Sequence, residues 1–72
     1  MDCKDRVSQA ADAEYPGCAV IFDDQAGDMF RFQIESGNGR VISRSYPIFN
    51  EAQIEAKSDE ELRALVRQVC GR

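Results

Sequence analysis

Residues 29–35 of the chain, MFRFQIE, alternate apolar and polar side chains without interruption. Successive side chains of a β-strand point to opposite faces of a sheet, so this alternation is typical of a strand with one buried face. We expect Phe30, Phe32 and Ile34 on the buried face and Met29, Arg31 and Gln33 on the other face. The segment therefore predicts a β-strand with one side in the core.

Turn-forming residues stand on both sides of this strand. On the N-terminal side, a loop over residues 25–27 ends at Gly27, which is free to adopt a positive φ in a hairpin. On the C-terminal side, Ser36-Gly37-Asn38-Gly39 suits a primed two-residue turn at Gly37-Asn38 or at Asn38-Gly39. The outer segments 17–23 and 40–46 then form the first and third strands, and Pro47 stops the third. The three strands predict an antiparallel meander.

The turn lengths determine which side chains share the buried face. A three-residue first loop places Cys18, Val20 and Phe22 on the side of Phe30, Phe32 and Ile34. Both choices of the second turn add Val41, Ser43 and Ser45 to that side, because the two choices differ by an even shift. The sequence thus predicts one apolar face, on which the two serines leave space for a helix.

Two helices are expected at the ends of the chain. Residues 3–14 have a thin apolar stripe that Asp2 can cap, and Pro16-Gly17 ends this helix. Ser58-Asp59-Glu60-Glu61 is a capping box, followed by an apolar stripe at helical spacing and closed by Gly71. Residues 50–56 predict either a short helix capped by Asn50 or an extended arm, with Ile48 and Phe49 docked on the core.

The expected architecture is one small α+β domain over residues 1–72. Its three-stranded antiparallel meander carries the N-terminal and the C-terminal helix on one face, in the order α-β-β-β-α. This order resembles that of the double-stranded RNA-binding domain. That family's second helix opens with lysines that grip phosphates, whereas Ser58-Asp59-Glu60-Glu61 opens the helix here, and the chain has no histidine for the family's first loop. The resemblance therefore implies the order of elements and no RNA-binding function.

Composition restricts the classes of function. The chain has 72 residues, a net charge of −4 and a pI near 4.6, which argues against a general nucleic-acid binder. Its length leaves little room for an internal pocket, and the absence of histidine removes the common catalytic arrangements and most zinc sites. We expect neither an enzyme nor a cofactor-binding or metal-binding protein.

The three cysteines and the N-terminus indicate a compartment. Cys3, Cys18 and Cys70 are an odd number without any CxxC spacing, and we interpret them as small apolar side chains of the core. The chain shows no secretory signal and no apolar run long enough to span a membrane. These features predict a cytoplasmic protein with reduced thiols and no membrane contact.

The acidic cluster of Asp23, Asp24 and Asp28 has two interpretations. Three carboxylates around a loop can gather a cation, yet their spacing lacks the bidentate glutamate that closes an EF-hand loop. A turn exposed to solvent accounts for the same residues, because aspartate is favoured in turns. We therefore expect a turn at this position.

The remaining functional indication is the outer face of the predicted sheet, opposite the core. Arginines alternate there with large apolar and aromatic side chains, a composition typical of interfaces. The candidate residues are Ile21, Met29, Arg31, Gln33, Arg40, Ile42, Arg44 and Tyr46. Ile42 and Tyr46 would be the anchors, and Arg31 and Arg44 the charged contacts.

We expect this face, or the exposed edge of the first or third strand, to bind an acidic protein partner or a second copy of the chain, the latter as a weak homodimer. The alternative is nucleic-acid binding, with Arg31, Arg40, Arg44 and Tyr46 on phosphates and bases. A solvated face without a partner is also consistent, because Glu35 can pair with Arg40 and Asp23 lies on the same face as Arg31.

Overall fold

A computed structural model describes residues 2–71 and shows an α+β fold in which helices pack on a three-stranded antiparallel sheet. The elements follow one another as α1 (Cys3–Glu14), β1 (Ala19–Asp24), β2 (Met29–Glu35), β3 (Phe49–Asn50), α2 (Glu51–Glu55) and α3 (Asp59–Val69). The strands lie in the order β1-β2-β3. The predicted fold class is confirmed, and the predicted position of the third strand is wrong.

The helix boundaries follow the capping residues. The Asp2 carboxylate accepts the N–H of Asp5 at the start of α1. Asn50 caps the N-terminus of α2 in a reciprocal capping box with Gln53. Ser58 caps α3 in the same way with Glu61. The two interpretations of residues 50–56 are thereby resolved in favour of a short helix.

The pairing of β1 with β2 extends without a break from Ala19 opposite Glu35 to Asp24 opposite Phe30. The Gln25 N–H also donates to the Met29 carbonyl, so the loop is one residue later than expected, with Gly27 at φ 67°. This register differs from the predicted one by an even shift. Val20 and Phe22 therefore share the inner face with the buried side chains of β2, as predicted.

The second turn has three residues in its loop instead of two. The Ser36 N–H donates to the Arg40 carbonyl, and Val41 forms an isolated bridge with Glu35. A register that differs by one residue moves every following side chain to the other face of a sheet. Ile42 consequently packs against the core, while Val41 is exposed, the reverse of the prediction.

The expected third strand, residues 40–46, leaves the sheet after Ser43. The N–H groups of Arg44 and Ser45 both donate to the Val69 carbonyl, over 2.6 and 3.2 Å. The last carbonyls of a helix have no partner within the helix, so this segment caps α3 instead of extending the ladder. Pro47 has no N–H to give to β2. The chain rejoins the sheet as β3, where Phe49 lies opposite Phe30.

One apolar core joins the helices to the inner face of the sheet. Its buried side chains in the sheet are Phe30, Phe32, Ile34 and Phe49. The helices contribute Cys3, Val7, Ala10, Ala11, Ile54, Leu62, Val66, Val69 and Cys70. The Arg6 guanidinium links the helices at their ends, because it donates to the carbonyls of Ile54 and Lys57 and to the Asp59 carboxylate. All helices therefore lie on one side, and the opposite side of the sheet is uncovered.

Candidate interaction face

Large exposed apolar side chains of the described residues are concentrated on the uncovered side of the sheet, which we call the outer face. Ile21 is 45% exposed, Met29 42%, Val41 48% and Ile48 44%. Ile21 and Met29 lie on strand positions that point away from the core, and Val41 lies opposite Glu35. Ile48 precedes the buried Phe49 and so projects to the other side. The four large apolar side chains that are exposed among the described residues therefore all belong to the outer face.

Arg31 is fixed at the centre of the outer face by two contacts. Its Nε lies 3.2 Å from an Asp23 carboxylate oxygen across the β1–β2 pairing. Its guanidinium carbon lies 4.3 Å from the centroid of the Tyr46 ring. An arginine over an aromatic face is attracted by the ring quadrupole. The two contacts place the Arg31 guanidinium between Asp23 of β1 and the Tyr46 ring.

The predicted site residues fall into two groups. Ile21, Met29, Arg31, Gln33 and Tyr46 come together on the outer face, with Gln33 paired opposite Ile21. The other three, Arg40, Ile42 and Arg44, do not join them.

Arg40 is exposed at the end of the second turn. Ile42 is partly buried against the core, because the three-residue loop turns it inward. Arg44 lies at the C-terminal end of α3, where its side chain covers Gly71 so closely that a Cβ there would meet the Arg44 Cδ at 2.6 Å. The expected role of Ile42 as an outer anchor is therefore corrected, as is the position of Arg44.

Two residues of the outer face were missed by the sequence analysis. Val41 had been assigned to the inner face by the wrong turn length. Ile48 had been docked on the core together with Phe49, although only Phe49 is buried. The period-two alternation from the buried Phe49 backward through Pro47 was the available signal for Ile48.

A groove of about 670 Å³ lies between the turn at residues 36–39 and the C-terminal end of α3. Cys18, Cys70, Ser43 and Arg44 are among its lining residues. Burial raises the pKa of the Cys18 thiol, and the nearby Asp12 carboxylate and Cys70 raise it further. A raised pKa keeps the thiol protonated near neutral pH, so Cys18 is a poor nucleophile.

Cys3 is a buried thiol whose pKa is also raised. Burial raises the pKa of its thiol, and the neighbouring Glu55 and Glu51 carboxylates act in the same direction. Its Sγ lies 3.4 Å from the Glu51 carbonyl oxygen. Both thiols therefore behave as packed side chains, which is the role expected from the sequence.

The acidic cluster beside the first loop is engaged with cations of the chain. Asp23 pairs with Arg31, and Asp24 lies 2.5 Å from the Lys4 ammonium. Among residues 2–71, no three histidine, cysteine, aspartate or glutamate side chains are grouped to hold a metal ion. Within the same residues, no helix is long and apolar enough to cross a membrane.

Comparison with family models, curated proteins and solved structures gives no match to this chain. The fold and the exposed residues define the class that can be stated, a small α+β domain with helices on one face of its sheet and an open apolar face on the other.

Proposed function

We propose that the chain is a small non-enzymatic binding module whose outer face contacts another protein. The observation that carries this proposal is the collection of Ile21, Met29, Val41 and Ile48 on one uncovered side of the sheet. Large exposed apolar patches on proteins commonly mark sites of interaction. The Arg31–Tyr46 pair adds two of the three residue types that are enriched at the energetic centres of interfaces.

The charge of the outer face favours an apolar contact. Arg31 is already offset by Asp23, and Arg44 lies away from this face at the end of α3. The outer face therefore offers little unpaired positive charge to an acidic partner. That the partner is acidic stays a prediction. We propose that the apolar side chains supply the affinity and that the Asp23–Arg31 pair sets the orientation.

Nucleic-acid binding has less support in this arrangement. Stacking on bases needs exposed aromatic and arginine planes along a positive surface. Here the Tyr46 ring is occupied by Arg31, and Arg40 and Arg44 are dispersed. No lysine lies among the outer-face residues of the sheet.

Two further expectations belong to the proposal. The packed character of Cys3 and Cys18 supports a role without thiol catalysis. Thiols that form no disulfide within the described residues also support the cytoplasm as the compartment.

Photo-crosslinking tests the proposed function directly. A benzophenone amino acid replaces Met29 on the outer face and, in the matched control, Ala64 on the exposed side of α3. Both chains are irradiated in extract of the cells that make the protein. The proposal expects protein adducts at position 29 that the additional substitution Tyr46→Ser weakens. Equal adducts at both positions, or none at position 29, would contradict it.

A titration with RNA distinguishes nucleic-acid binding from the proposed protein contact. Amide ¹H–¹⁵N spectra of the labelled chain are recorded while a short mixed-sequence RNA is added at low salt. We expect no shifts at Arg31, Arg40, Arg44 and Tyr46. Shifts at these residues that added salt reverses would establish the nucleic-acid alternative instead, since phosphate contacts weaken steeply with salt.

A further inference from the structure

The free edge of β1 carries a second contact surface, made of backbone groups, which shares Ile21 with the outer face. β1 is the end strand of the sheet. Apart from its ladder with β2, no hydrogen bond among the described residues involves a backbone group of Ala19–Asp24. An edge of this kind is a template for another strand.

The direction of the free backbone groups follows from the pairing on the other side of β2. The Ile34 carbonyl accepts the N–H of Ile42, so Ile34 faces away from β1. Neighbouring residues of a strand present their backbone groups to opposite edges, so Gln33 and its partner Ile21 face each other. Val20 and Phe22, the neighbours of Ile21, therefore direct their N–H and C=O groups outward.

The side chains of β1 are incompletely covered on both faces. Ile21 is exposed on the outer face, and Val20 and Phe22 on the inner face are only partly buried. On β2, by contrast, Phe30, Phe32 and Ile34 are buried. Another strand beside β1 would continue the apolar inner face and cover these part-exposed side chains.

β1 lacks most of the features that block strand edges, the exception being Asp24, a charged residue on the inner face opposite Phe30. Residues 19–24 contain no proline or lysine, and their register shows no bulge. The two aspartates at the end of the strand are offset by Arg31 and Lys4. On a chain of net charge −4, this edge is a region of nearly cancelled charge, where a like-charged molecule meets little repulsion.

We infer that the strand added to this edge is β1 of a second copy of the chain, antiparallel to the first. This arrangement places the Asp23-Asp24 end of each strand beside the apolar Ala19 end of the other, whereas a parallel arrangement would align the aspartates. It also keeps both inner faces on the same side. Val20 and Phe22 of the two copies then become cross-strand neighbours, and two three-stranded sheets continue as one.

Sedimentation equilibrium of the purified chain tests this inference. Between about 5 µM and about 1 mM, we expect the mass to rise from 8.1 kDa toward twice that value, as mass action requires. Ile21→Lys should keep the chain monomeric because it places a cation beside its own symmetry mate. Ile48→Lys is the matched control, an isoleucine of equal exposure near β3, and should leave the association unchanged.

A chemically synthesised chain with an N-methyl group on Phe22 tests the backbone contact itself. It removes one outward donor while keeping the side chain and the β1–β2 ladder, and we expect Kd for the dimer to rise at least about tenfold. Each variant is judged at concentrations where its circular dichroism matches that of the parent.

Three results would overturn the inference. The first is a parent chain that stays monomeric throughout, which would leave the edge to a strand of another protein. The second is an N-methylated chain that associates as well as the parent. The third is an Ile48→Lys variant weakened as much as Ile21→Lys, which would indicate contact through the faces. Adducts at position 29 in the crosslinking experiment are independent of all three results.

Discussion

The guanidinium of Arg31 is shared between Asp23 on β1 and the ring of Tyr46 in the segment that leads to β3. Asp23 and Arg31 are already partners in the β1–β2 ladder, so the contact adds a link from this ladder to the segment that carries Tyr46. No backbone hydrogen bond between β2 and residues 44–48 occurs in the described structure. The Arg31–Tyr46 contact therefore joins this segment to β2 in place of backbone hydrogen bonds.

A double-mutant cycle measures this contact. We expect Arg31→Met and Tyr46→Leu to be coupled by about 0.5–1 kcal/mol in the free energy of unfolding, the range for an arginine over an exposed aromatic ring. Urea unfolding of the parent, the two single variants and the double variant gives the coupling energy. A second cycle of Arg40→Met with Tyr46→Leu is the control, and coupling of equal size there would contradict the assignment.

The Ser43 hydroxyl is the acceptor for the Ile34 N–H at 3.1 Å. Ser43→Ala leaves this N–H without its partner inside the sheet, so we expect a loss of about 1–3 kcal/mol in unfolding free energy. Ser45→Ala is the matched control, because Ser45 is exposed and should change stability by less than about 0.5 kcal/mol. Equal losses for the two serines would contradict the hydrogen bond from the Ile34 N–H to the Ser43 hydroxyl.

The capping box of α3 predicts a dependence of stability on pH. The Glu61 carboxylate accepts the Ser58 N–H at 2.8 Å, and this hydrogen bond lowers the pKa of Glu61. A carboxyl with a lowered folded-state pKa stabilises the fold above its unfolded pKa. That contribution is lost as the pH falls through the folded-state value.

Urea midpoints measured from pH 7 downward check this prediction. Glu61→Gln should flatten the decline in acid, because the amide oxygen can still accept the hydrogen bond at every pH. Glu60→Gln, one residue away and outside the capping box, should keep the decline of the parent. Ser58→Ala should lower stability by about 0.5–2 kcal/mol at neutral pH. Urea midpoints of the parent that do not change with pH would contradict a stabilising contribution from the Glu61 carboxylate.

Alkylation of the thiols tests the non-enzymatic assignment. Because burial raises the pKa of Cys3 and of Cys18, iodoacetamide at neutral pH should label both more slowly than it labels the urea-unfolded chain. Cys18, which is only partly buried, should react before the buried Cys3. Mass spectrometry of peptides resolves the sites. A thiol labelled faster in the folded chain would bring an enzyme back into consideration.

Local signals accounted for most of the fold. The alternation of residues 29–35 sets the inner face of β2, Asp2 and Ser58 begin their helices, and Gly27 takes the predicted positive φ. Each of these signals depends on neighbours within a few residues. Even the misplaced first loop left the faces correct, since its error was an even shift.

The third strand could not be predicted because its position depends on a distant part of the chain. Residues 40–46 follow a turn and contain β-branched and aromatic residues, as a strand does, but the Val69 carbonyl competes for the N–H groups of Arg44 and Ser45. A single additional residue in the loop after Ser36 then turned Ile42 inward and Val41 outward. The part of the candidate site that rested on β2 was therefore retained, and the part that rested on the third strand was rearranged.

The Val69 carbonyl has a consequence for the motions of the molecule. Because it accepts two N–H groups from the segment that follows the sheet, the last turn of α3 cannot fray while that segment is in place. Amide hydrogen exchange should therefore release Arg44, Ser45 and Cys70 in one opening event, at a common free energy below that of the β1–β2 hairpin. We therefore expect the C-terminal turn of α3 and the segment after Ser43 to open as a single cooperative unit, which would also release Tyr46 from Arg31 on the outer face.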